Sequence, residues 1–171
     1  PDITGELCRF IQEYLECPTA PEWVLTYALR DDPKLNVTGK HGESRPRIDI
    51  EFEMIRRGPR PKFRFEAKRL GPNHSVRQYL GPDGMGAFLA GYYPLTHREA
   101  GMLAYMQSHD AAHWAGKVAA VLNQATSDFH LTPAGQTFAQ TPIARGLPTH
   151  QTTHSLPEGN MLIWHTFLLF H

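Results

Sequence analysis

Three side chains near the middle of the chain have the types and spacing from which phosphodiester chemistry can be assembled. They are Asp49 and, after sixteen intervening residues, Glu66 followed two places later by Lys68. Two carboxylates on adjacent strands, facing one way, can share a hard divalent cation such as Mg²⁺ through oxygen ligands. Such a cation polarises a phosphoryl oxygen and lowers the pKa of a bound water. A lysine two residues past the second acid lies on the same strand face, where its ammonium can hold the attacking water or stabilise charge on the phosphorane. Glu51 and Glu53 share Asp49's face as well. Glu51 is an accessory candidate as a second metal ligand, and Glu53 is expected to be a surface partner of Arg64.

The elements that must position these groups are legible in the hydropathy pattern. From Arg47 to Ile55, Ile48, Ile50, Phe52 and Met54 point one way and Asp49, Glu51 and Glu53 the other. From Lys62 to Lys68, Phe63, Phe65 and Ala67 alternate with Arg64, Glu66 and Lys68. Period-2 alternation marks half-buried strands. Between them Arg56-Arg57-Gly58-Pro59-Arg60-Pro61 carries turn residues. The expectation is a β-hairpin with one apolar and one charged face, with Asp49 opposite Glu66 or Lys68 according to register.

Charge is unevenly placed. The 171 residues hold 17 Lys+Arg and 17 Asp+Glu, a formal net charge of zero. Taken alone, that balance argues against a dedicated nucleic-acid or membrane-surface protein. Residues 40–77, however, contain eleven Lys and Arg against five acids, a net +6, which leaves −6 on the remainder. A solvated hairpin laced by cross-strand ion pairs would show the same count. A surface that holds a polyanion beside a carboxylate cluster is the sharper reading. Its candidate backbone contacts are Arg45, Arg47, Arg56, Arg57, Arg60, Lys62, Arg69 and Arg77.

Asp49, the sixteen-residue gap and Glu66-Ala67-Lys68, flanked by strand patterning, resemble the PD-(D/E)XK nuclease superfamily, over residues 47–69 mainly. Ile48 stands where that motif has a proline. The resemblance implies a restriction-endonuclease-like fold, a three-layer α/β/α sandwich with a central mixed sheet. It implies Mg²⁺ (Mn²⁺ as a substitute) held by Asp49 and Glu66, with Lys68 positioning the nucleophilic water. It adds a carboxylate from the first helix, Glu6 in preference to Glu13, and an accessory glutamine after the lysine, Gln78. The implied partner is nucleic acid, DNA first. The implied setting is cytoplasmic restriction or anti-phage defence, as a homodimer or as a subunit of a larger defence complex. The rival expectation is an inactive module of the same fold that binds nucleic acid or a protein.

Ten histidines offer competing constellations. His109 and His113, at i and i+4, with His97 upstream and Asp128 downstream, imitate the order of HD-type metal-dependent phosphohydrolases, a wholly helical fold. Asp110 or Ser108 capping a new helix is the plainer account of that pair. His154…Asn160…His165 loosely imitates an HNH nuclease without its expected elements. His165, inside an apolar run, reads as a hydrogen-bonded core residue, whereas His150 and His154 precede a turn and are candidates for substrate contact. Cys8 lacks a paired histidine, so a cysteine nucleophile is not expected.

Across the rest of the chain, residues 3–17 have helical spacing, and Glu22 to Arg30 suits a first strand. Asp83 to Tyr92 suits a short, closely packed helix. Thr96-His97-Arg98-Glu99 fits a capping box opening a helix through Met102, Leu103 and Met106, continued through Trp114, Val118, Val121 and Leu122. Residues 123–147 are polar, and Met161 to Phe170 reads as a buried strand. The chain is expected to be one α/β domain, with a core over 1–122 and a C-terminal extension with the last strand over 123–171. Cys8 and Cys17 are too far apart along one helix for a disulfide, which suits a reducing compartment. No apolar run approaches the roughly 18–20 residues of a membrane span. The first residues lack the features of a signal peptide, and a start at Pro1 fits either loss of an initiator Met or excision from something longer.

Overall fold

The computed structural model describes residues 2–132 and 138–170. It is an α/β structure whose seven strands pair in both parallel and antiparallel fashion. The chain divides into two compact units, residues 1–65 with 93–97, and residues 66–92 with 98–171.

In the first unit, helix α1 (Ile3–Leu15) is opened by Asp2, whose carboxylate accepts the Gly5 N–H at 3.0 Å. It buries Ile3 and Cys8 and packs on strand β1 (Tyr27–Asp31). A 3-10 turn (Glu22–Thr26) precedes β1, so this strand starts later than its alternation suggests. Strand β2 (Ile50–Met54) pairs antiparallel with β1, from Tyr27↔Met54 to Asp31↔Ile50. It also pairs antiparallel with β3 (Lys62–Leu70), from Glu53↔Lys62 to Ile50↔Phe65. The expected hairpin is therefore present, with Gly58 at φ +85° in its turn, where a side chain would be strained. Lys34 makes a single bridge, to Arg47, beside a buried Leu35.

One expectation about this hairpin is reversed. Its charged face is covered: Glu51, Glu53 and Arg64 are all buried, at 1%, 5% and 7% exposure. The alternation is real, but the polar side is closed by cross-strand ion pairs instead of by water. Phe52, Phe63 and Phe65, on the other side, are half-buried and pack edge-on or tilted.

In the second unit, the distal half of β3 runs into a tight Gly71–His74 turn closed by two reciprocal backbone hydrogen bonds of 3.1 Å. Two short helices follow, α2 (Val76–Leu80) and α3 (Met85–Leu89). A Cβ on Gly84 would collide with the Tyr79 carbonyl oxygen, so close packing accounts for a glycine between them. Then come β4 (Glu99–Met106), α4 (Ala111–Gln124), β5 (Ala139–Gln140), β6 (Thr149–Leu156) and β7 (Gly159–Leu169). The strand order is β4-β7-β6-β5, with β4 and β7 parallel and the other pairs antiparallel.

The helix expected through Met102, Leu103 and Met106 is strand β4. Every residue from Ala100 to Met106 is buried, so its apolar run reflects a strand covered on both faces, which periodicity does not separate from a buried helix. Helix α4 is a separate element, opened as expected by Asp110, which accepts the His113 N–H at 2.8 Å. The buried C-terminal strand is present, and with β6 it belongs to the core of this unit rather than to an appendage. Part of the polar 123–147 stretch, residues 133–137, lies outside the described residues.

Candidate active site

Strand β3 carries Glu66 and Lys68 on one face, and the Lys68 ammonium forms an ion pair with Glu66 Oε1. The Glu66 side chain is 6% exposed and the Lys68 side chain 27%. Lys68 reaches a groove of about 410 Å³ walled by Arg69, His74, Arg77, Gln78 and Asp83. Three basic side chains, Arg69, His74 and Arg77, and one acid, Asp83, thus line the groove with the ammonium within the second unit. Arg77 is exposed and also lines two neighbouring depressions of about 620 and 710 Å³. The arrangement can hold a polyanion along Arg69 and Arg77 while Lys68 faces it.

Asp49 lies in the first unit, half-buried at a bend immediately before β2, and its backbone carbonyl accepts the Asp32 N–H at 2.9 Å. Asp49 thus belongs to the first unit and Glu66 to the second.

Glu51 is committed elsewhere. Its carboxylate accepts from Lys62 at 2.9 Å and from Arg64 at 2.8 Å. Burial alone would raise its pKa, but the hydrogen bonds from Lys62 and Arg64 and their charges outweigh burial and hold it below the ordinary carboxylate range. Arg64's partner is therefore Glu51, while Glu53 is buried against Arg30 at 2.5 Å and Arg60 at 3.4 Å. Glu6 and Glu13 are exposed on α1, and both are bound by Arg9, at 2.9 and 2.5 Å. The Gln78 carboxamide accepts the Ser75 N–H at 2.9 Å while Ser75 Oγ accepts the Gln78 N–H at 3.3 Å, a reciprocal cap on α2.

The other basic candidates divide into two groups. Arg56 and Arg57 are exposed in the hairpin turn, with Arg56 donating to the Pro59 carbonyl at 3.1 Å. Arg45, Arg47, Arg60 and Lys62 are tied to Asn36, Asp32 with Glu43, Glu53 and Glu51 respectively.

No family model, curated protein or solved structure matches this chain. The chemistry of its own side chains must therefore carry any functional reading.

The histidines separate cleanly. His109 and His113 stack at 4.0 Å beside Trp114 at the start of α4. Among the described residues no group of three or more His, Cys, Asp or Glu is gathered to hold a metal. Cys8 is buried, and burial together with Asp31, Asp2 and Asp49 pushes its thiol up to about 12, so it stays protonated and unreactive. Cys8 and Cys17 are both free thiols.

A buried polar chain in the second unit has no counterpart in the sequence patterns except His165, read there as a core residue. Tyr79 Oη lies 3.0 Å from His165 Nδ1, and His165 Nε2 is 2.9 Å from Thr152 Oγ1. Thr152 Oγ1 is 2.7 Å from His154 Nε2, and His154 Nδ1 is 2.6 Å from the Phe129 carbonyl. That carbonyl can only accept, so His154 Nδ1 carries a proton. With neutral rings, the remaining directions follow: Thr152 O–H donates to His154, His165 Nε2–H donates to Thr152, and Tyr79 O–H donates to His165. Burial lowers the pKa of both histidines and raises that of Tyr79, consistent with a wholly neutral chain. All its groups are satisfied internally, which assigns it to the core. His154 is thus not a surface contact, and His150 stacks on Phe138 at 4.5 Å.

Proposed function

We propose that this chain is a Mg²⁺-dependent endonuclease that hydrolyses phosphodiester bonds of DNA, on a three-layer α/β/α fold of the restriction-endonuclease kind. The observation that carries the reading is on β3, where Glu66 and Lys68 share one face beside a groove walled by Arg69, His74 and Arg77; the sequence motif names Asp49 and Glu66 as the paired acids. Their carboxylate oxygens are the donor class that hard divalent cations take. A cation held there would supply Lewis-acid polarisation of the phosphoryl group and a more acidic water.

The chain's own residues do the rest. Lys68, already aligned with Glu66 on β3, presents its ammonium to the groove, where it orients the water and offsets negative charge building on the phosphoryl oxygens. Arg69 and Arg77 hold flanking phosphates, and Arg56 and Arg57, exposed in the hairpin turn, are further backbone contacts in the same reading. Such contacts carry no base information and make binding steeply salt-dependent. Glu6 and Gln78 enter this scheme only by giving up Arg9 and the α2 cap. A homodimer or a larger defence assembly belongs to the same reading.

The alternative is a module of the same fold that binds DNA without cutting it. Supercoiled plasmid separates the two. The parent should nick or linearise it with Mg²⁺ or Mn²⁺ and not with EDTA, and Asp49→Ala should remove the activity. A parent that binds plasmid but leaves it intact across divalent ions would establish the non-catalytic module.

A further inference from the structure

The first unit contains a second polar cleft, separate from the Lys68 groove. It measures about 260 Å³ and is lined by Arg30, Lys34, Asn36, Glu51, Lys62 and Arg64, among others. That is several times the roughly 30 Å³ a water occupies in the liquid.

Its charge is unbalanced. Glu51 and Glu53 are joined by ion pairs of 2.5–3.9 Å to four cations, Arg30, Arg60, Lys62 and Arg64. Four cations over two carboxylates leave an excess of +2 around buried groups. The Arg64 side chain is 8% exposed and the Glu51 side chain 1%, so this excess lies over a desolvated floor and not only on a wet surface. Lys34 stands at the rim, ion-paired to Glu43, whose side chain is 84% exposed. Concentrated, partly desolvated positive charge with several N–H donors is what a compact multivalent anion needs.

We infer that this cleft binds a phosphoryl dianion, the group at the end of a phosphate monoester. A monoester carries about −1.5 to −2 near pH 7, close to the +2 excess of this part-buried network, whereas each diester in a strand carries only −1. Arg30 and Arg64 supply guanidinium forks, Lys34 and Lys62 supply ammonium donors, and the floor carboxylate Glu51 keeps Lys62 and Arg64 in place. Either the phosphorylated end of a nucleic-acid strand or a small phosphorylated molecule presents this chemistry. The inference goes beyond the proposed cleavage and does not need it.

The test is calorimetric titration of the full chain, without divalent metal and at constant ionic strength in chloride. The probes are inorganic phosphate and a short oligonucleotide bearing either a 5′-phosphate or a 5′-hydroxyl. Phosphate should bind, and Lys34→Gln and Arg30→Gln should each weaken it at least tenfold without loss of the folded circular-dichroism spectrum. Lys34→Gln removes no partner of a buried carboxylate, so it keeps the test decisive if Arg30→Gln unfolds. Tighter binding of the 5′-phosphorylated strand than of its hydroxyl twin assigns the site to a strand end. Equal binding of the two strands, with phosphate still bound, assigns it to a small monoester. No heat from phosphate, or equal affinity in Lys34→Gln and the parent, overturns the inference. A parent that binds phosphate but never cleaves plasmid leaves this result intact while the nuclease reading fails.

Discussion

The two units bury polar groups in opposite ways. Around Glu51 and Glu53 the first unit keeps full charges and over-compensates them with four cations. From Tyr79 to the Phe129 carbonyl the second unit keeps no charge and closes every donor on an acceptor. A neutral, closed chain asks nothing of a ligand and serves the core. A charged network with an unmatched excess sits next to a cleft and is suited to bind. Removing one partner is costly in either, but by different amounts and in different pH ranges.

The largest effect is expected at Arg64. Arg64→Leu leaves Glu51 buried with Lys62 and a distant Arg30, and truncating one partner of a buried ion pair costs about 3–5 kcal/mol. Urea unfolding of the variant reads this directly, and a loss below about 1 kcal/mol would mean that the network is wet. Thr152→Val strands the Nε2 atoms of His154 and His165, with an expected cost of about 1–3 kcal/mol for each unsatisfied group. A neutral outcome there would show that water replaces the hydroxyl.

Acid separates the two clusters. His154 and His165 have lowered pKa values in the fold, so the unfolded chain, with histidines near the usual 6.5, binds more protons. Their contribution is complete above about pH 6.5 and is lost as pH falls below it, at up to about 1.4 kcal/mol per pH unit for each histidine. Glu51, lowered from an ordinary 4.5, contributes fully above that value and is lost only below it. Stability followed from pH 7 to 5 should therefore fall, and in a His165→Gln background it should fall less steeply. An unchanged slope in that background would remove His165 from the account. The smallest effect belongs to the hairpin turn. Arg57→Ala should alter stability by less than about 0.5 kcal/mol, while lowering the salt dependence of DNA binding by about one counterion.

Much of the first unit was legible in its sequence because alternation and turn residues act locally. The Gly58-Pro59 turn implies a register close to Ile50↔Phe65, and the strand over Lys62–Leu70 follows from its period. Which face was covered was not legible. Glu51 and Arg64 look solvated in one dimension, and only their facing positions across the ladder show that they satisfy each other. Pairing opposite charges along that register would have found them. In the second unit β4 was hidden by burial on both faces, and β6, Thr149–Leu156, by its polar composition. Its inward Thr152 and His154 are buried only because the chain from Tyr79 closes on them, a long-range fact that no local pattern carries. Of the candidate site, Glu66 and Lys68 were legible from strand period. The Arg69–Arg77 groove wall depends on the fold of α2 beside β3.

The central claim of the proposed function is that Lys68, with Glu66 and Asp49 as the motif's acids, cuts DNA. The most direct measurement is single-turnover cleavage of supercoiled plasmid in Mg²⁺ by the parent and by Lys68→Ala, with plasmid binding measured in parallel. The account predicts Mg²⁺-dependent cleavage by the parent, a fall of about 10²–10³ in rate for the variant, and binding little changed. Parent and variant that cleave at the same rate, or a parent that binds and never cleaves, would contradict it.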